Sequence, residues 1–97
     1  MPNASISIQV LPNVPDDRLF AVVDRVIEAI AQTGLTYAVG PFDTTVEGDL
    51  DELLALVKTA QQICMDNGSR SVFTNIKLAY DPEGVATIAQ KVAKHRH

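Results

Sequence analysis

The pattern of this sequence predicts an α+β fold of the ferredoxin-like class: a β-α-β-β-α-β sandwich with a short C-terminal helix. Three observations predict it. Residues 4–11 and, late in the chain, residues 71–78 alternate apolar and polar side chains with a period of two, as strands with one buried face do. Leu19 to Ile30 and Leu50 to Cys64 carry apolar residues at helical spacing. Between these helices lies a strand–turn–strand run around Gly40-Pro41-Phe42-Asp43. That order is the split β-α-β motif. It implies a four-stranded antiparallel sheet in the order 4-1-3-2, with both main helices on one face.

Each element has a local cause. In the first strand Ile6, Ile8 and Val10 point one way and Ser5, Ser7 and Gln9 the other. Pro12-Asn13-Val14-Pro15 turns the chain, and Asp16 and Asp17 suit a helix start, where carboxylates meet unpaired N–H groups. Leu19, Val22, Val23, Val26, Ile27 and Ile30 form the apolar stripe of the first helix, which Gly34 closes. Leu35 to Val39 and Thr44 to Glu47 read as paired hairpin strands. Asp49 with Glu52 resembles a capping box for the second helix, which ends near Asn67-Gly68. In the last strand Val72, Thr74, Ile76 and Leu78 share one face, and Phe73, Asn75 and Lys77 the other. Val85, Ile88, Ala89 and Val92 then mark a short helix ending in the cations Lys91, Lys94, His95, Arg96 and His97.

The totals bound the function. The 97 residues make one domain, 1–97, with a core small enough that association with further copies is an economical way to bury more surface. The net charge is −4 and no basic stripe runs through the domain, so nucleic acid is not an expected partner. The start of the chain does not read as a signal peptide, and no apolar run reaches the ~18 residues a membrane helix needs. With one cysteine, Cys64, and so no intramolecular disulfide, a cytoplasmic location is expected. Cys64 lies on the apolar stripe of the second helix and reads as core. His95 and His97 lack a third ligand, so no metal site is expected. No histidine within the domain proper can act as a general base, and no side chain sits as an activated nucleophile. The chain is therefore read as a non-enzyme, without a cofactor.

The sheet face opposite the helices gathers Ser5, Ser7, Gln9, Thr45, Glu47, Phe73, Asn75 and Lys77. Such a face is ordinarily solvated, or serves as an interface between copies. It is also a set of convergent polar groups of the kind that orient a small ligand. Glu47 stands out, because Asp49 and Glu52 already account for capping; pairing with Lys77 is its alternative role.

The stretch G-P-F-D-T-T-V-E-G-D-L-D-E-L-L, Gly40 to Leu54, resembles the central signature of the small thiamine-binding (YkoF-like) domain family. S-I-S-I-Q-V-L-P (Ser5 to Pro12), G-L-T-Y (Gly34 to Tyr37) and V-F-T-N-I-K-L (Val72 to Leu78) fit the same pattern. The segments Asn13 to Asp17 and Leu78 to Asp81 depart from it. The resemblance implies a ferredoxin-like fold, association into a homodimer or homotetramer, and binding of thiamine or its hydroxymethylpyrimidine half without turnover, as a carrier or sensor. It carries over Glu47, Thr44, Thr45 and Phe42 as ligand-binding residues. The face assignment adds Gln9, Ser7 and Asn75. The alternative is an interaction module with no small ligand. Replacing Glu47 with Gln is expected to weaken ligand binding strongly and leave the fold intact; normal binding by that variant, measured by calorimetry, would make Glu47 structural.

Overall fold

The structure, a computed structural model, describes residues 2–95. The chain runs β1 (Ala4–Pro12), a 3-10 turn (Asp16–Arg18), α1 (Leu19–Gln32), β2 (Thr36–Val39), β3 (Thr44–Gly48), α2 (Leu50–Asp66), β4 (Val72–Tyr80) and α3 (Ile88–Val92), followed by a 3-10 turn (Ala93–His95). The four strands form one sheet in the order β2-β3-β1-β4, all pairs antiparallel, as the expected topology requires. Strand β1 is central: Ile6 lies opposite Val46 on one side and Leu78 on the other.

Directly opposed residues share a face, so the alternation of β1 propagates across the sheet. Ile6, Ile8 and Val10 meet Val22, Val26 and Ile30 of α1 and Leu53, Leu56, Ala60 and Cys64 of α2 in one buried core. Burial pushes the Cys64 thiol above its ordinary value, which suits a packing role. Leu54 is half exposed on the flank of α2 that also carries Gln61, whose Oε1 accepts from the Thr74 hydroxyl at 2.7 Å. That flank lies above β4 but does not cover it: Ile76, Leu78 and Tyr80 remain 43%, 46% and 52% exposed.

The helix ends depart from expectation at three places, the first being the start of α1: Asp16 and Asp17 lie in the 3-10 turn that precedes it, and no side chain caps its first turn. Gly34 takes φ +77° just past α1, a conformation that favours glycine. Asp49 caps α2 by accepting from Asp51 N–H at 3.1 Å. The partner in that cap is not Glu52 but Asn3, which accepts from Leu50 N–H at 2.9 Å and donates to Asp49 at 3.1 Å. The last helix starts at Ile88 rather than Val85. Thr87 accepts from Gln90 N–H, and the Gln90 side chain accepts from Thr87 N–H, a reciprocal cap that sets the start three residues later. Val85 is instead a buried anchor, its N–H donating to Pro2 at 2.9 Å. Of the basic run after it, Arg96 and His97 lie outside the described residues.

Leu53 is fully buried, whereas Phe20 is 79% exposed. Leu53→Ala should therefore cost about 2–5 kcal/mol in urea unfolding, and Phe20→Ala under ~1 kcal/mol. Equal losses at one protein concentration would contradict this core.

Candidate functional site

The open face of the sheet is built in rungs. Ser5 lies between Glu47 and Ala79, and Ser7 between Thr45 and Lys77. Gln9 is opposite Asn75, and Leu11 opposite Phe73. The structure thus brings Ser7, Gln9, Thr45, Glu47 and Asn75 onto one surface. Thr44 is not on it. One residue from Thr45, it lies opposite Ile8 and is buried on the helix side.

Gln9 and Asn75 are joined, the Asn75 Nδ2 donating to Gln9 Oε1 at 3.0 Å. Each amide is half of a donor–acceptor pair and keeps further capacity for a ligand. Beside them the β2–β3 turn folds over the end of the face. Gly40 N–H donates to the Asp43 carbonyl at 2.7 Å. A Cβ on Gly40 would stand 2.9 Å from that oxygen, so the turn requires glycine there. The tight turn aims Asp43 back at the sheet, where its Oδ2 accepts from the Ser7 hydroxyl at 2.6 Å, and leaves the Phe42 ring 81% exposed at the rim. Ser7, Gln9, Phe42, Asp43, Asn75 and Lys77 line a half-open hollow of about 320 Å³.

The opposite end of the face is closed by α3. Glu47 Oε2 accepts from Ile88 N–H at 2.7 Å, and Lys91 Nζ reaches the Ser5 hydroxyl at 3.5 Å. Ser5 is consequently only 4% exposed. Glu47 is therefore held at the start of α3; Lys77 sits one rung along on the far side of β1, with backbones about 10 Å apart across the sheet. Because a glutamine carbonyl can also accept from Ile88 N–H, Glu47→Gln removes the charge while keeping the docking contact. A second hollow, of about 270 Å³, lies beside the first and is lined by Ser5, Ser7, Thr45, Lys77 and Lys91.

Asp43 and Lys91 are absent from the sequence expectation. Alternation assigns faces only within strands, and Asp43 sits in a turn. Lys91 reads as a helix-end cation until the fold-back of α3 is known. Among the described residues no group of three His, Cys, Asp or Glu is arranged to hold a metal ion, and no helix is long and apolar enough to cross a membrane.

A family model described as thiamine-binding protein matches residues 6–96. A UPF0045 protein from Clostridium perfringens is 46% identical over 96 residues, covering 99% of this chain and all of its own. A Bacillus cereus domain of unknown function superposes with a TM-score of 0.88 at 44% identity, covering 96% of this chain and 89% of that one. A Thermotoga maritima protein, provisionally assigned to thiamine biosynthesis or salvage, superposes with a TM-score of 0.86 at 38% identity, covering 96% and 98%.

Proposed function

This chain belongs to the thiamine-binding protein family, and from that premise we propose that it binds thiamine or its hydroxymethylpyrimidine moiety on the open sheet face, without turnover, as a cytoplasmic carrier or sensor. The observation that carries the reading is the hollow at the β2–β3 turn: one carboxylate, a coupled pair of amides and an exposed ring converge on it. An aminopyrimidine presents donors and acceptors side by side, which the Asp43 carboxylate and the Gln9 and Asn75 amides can meet. Its flat ring can stack on Phe42. The cationic thiazolium of thiamine suits a carboxylate in a chain of net charge −4.

The reading includes a homodimer or homotetramer. Strand β4 is an edge strand, and Ile76, Leu78 and Tyr80 form an exposed apolar row on its helix side. Two copies pairing along β4 would satisfy the free backbone edge and cover that row at once. The same row favours the second reading, an interaction module without a small ligand.

Calorimetric titration with thiamine, and separately with hydroxymethylpyrimidine, tests the proposal. The expected result is saturable binding near one per subunit, with the ligand recovered unchanged. Asp43→Asn should weaken it at least tenfold, in line with ~1.5–3 kcal/mol for a hydrogen bond to a charged group. No heat with either ligand at protein concentrations that would reveal a dissociation constant of about 100 μM (roughly 5.5 kcal/mol) would favour the interaction module.

A further inference from the structure

The second hollow on the open face is bordered by two lysines and no carboxylate, where the first sets the shared Lys77 beside Asp43. Lys77 from β4 and Lys91 from α3 border it, and the hydroxyls of Ser5, Ser7 and Thr45 line its floor. The two ammonium groups and the Ser5 and Thr45 hydroxyls are donors suited to a tetrahedral oxyanion, with its several acceptor oxygens, whereas the Ser7 hydroxyl is committed to Asp43. Their convergence is unexpected in an acidic chain, and it depends on the fold-back of α3. Glu47 holds the first turn of that helix through Ile88 N–H, which sets Lys91 over Ser5. The Glu47 carboxylate is thereby engaged at the α3 end of the groove, while the lysines border the hollow itself.

The two hollows adjoin, sharing Ser7 and Lys77. Successive same-face residues on a strand stand about 6.6–6.8 Å apart. A ring seated between Gln9, Asn75 and Phe42 therefore has the second hollow within reach of a short substituent. We infer that this face takes the phosphate ester of its ligand, with the pyrimidine ring by Asp43 and the phosphate between Lys77 and Lys91. The inference rests on the pyrimidine-binding reading and adds the ligand's phosphorylation state to it. Lys77 and Lys91 would be specificity-determining residues, and Glu47 a positioning residue acting through α3.

The test is calorimetry with hydroxymethylpyrimidine and with its monophosphate, read as the ratio of their dissociation constants. This ratio cancels losses common to both ligands. The expected result is at least tenfold tighter binding of the monophosphate, an advantage that shrinks at 0.5 M salt as ion pairing is screened. Lys77→Met, which lies on β4 and leaves α3 untouched, should reduce the ratio at least threefold. Lys77→Met with Lys91→Met should bring it to within twofold of unity. Equal or weaker binding of the monophosphate, with hydroxymethylpyrimidine itself still saturating, would overturn the phosphate site and leave the proposed function standing. A preference that survives in the double variant would also overturn it, because the phosphate would be held elsewhere. Absence of binding by both ligands would overturn the two readings together.

Discussion

Strand β1 has a hydrogen-bonded neighbour on each edge and a helical layer against one face, so the two-residue period of its side chains governs the whole molecule. A slip of one residue against β3 or β4 would turn Ile6, Ile8 and Val10 to solvent and drive Ser5, Ser7 and Gln9 into the core. The core thereby fixes the register, and the register fixes the polar rungs on the other side. The polar set on the open face is a consequence of packing on the opposite face. For this reason the core and the site cannot be altered independently along β1, whereas the β2–β3 turn and α3 can change the site without disturbing the core.

Those two segments convert a polar sheet face into a bounded groove. The turn is held by Gly40 and supplies Asp43 and Phe42 at one end. Helix α3 is short, with no fully buried residue, and is fastened by Val85, by its reciprocal Thr87–Gln90 cap and by the Glu47–Ile88 hydrogen bond. A carboxylate accepting a backbone N–H is a charge-assisted contact, stronger than a neutral one. Glu47 thus anchors the end wall of the groove, and the Asp43 carboxylate stands at its other end, by the turn.

Much of this was legible from the residue pattern. The clean alternation of Ser5 to Val10 is a direct physical record of two unlike environments, and the stripe from Leu19 to Ile30 is equally unambiguous. Glu47, Gln9, Ser7, Thr45 and Asn75 follow from strand parity alone. Thr44 was grouped with Thr45 by the family signature, and parity separates them: one faces the groove and the other the core. What escaped depends on contacts distant in sequence. Asn3 replaces Glu52 in the α2 cap across 47 residues, and Lys91 meets Ser5 across 86. Asp43 escaped for a different reason, since turn residues carry no period from which a direction can be read.

An amide-detected NMR titration with thiamine, following the side-chain amides of Gln9 and Asn75 with the backbone of Phe42 to Thr45, tests most directly whether the open face is the binding surface. Binding on the open sheet face predicts saturable shifts confined to these groups and their rungs on β1, β3 and β4, with the outer faces of α1 and α2 unmoved. Shifts centred on α1 and α2, or none at saturating thiamine, would contradict binding on the open sheet face.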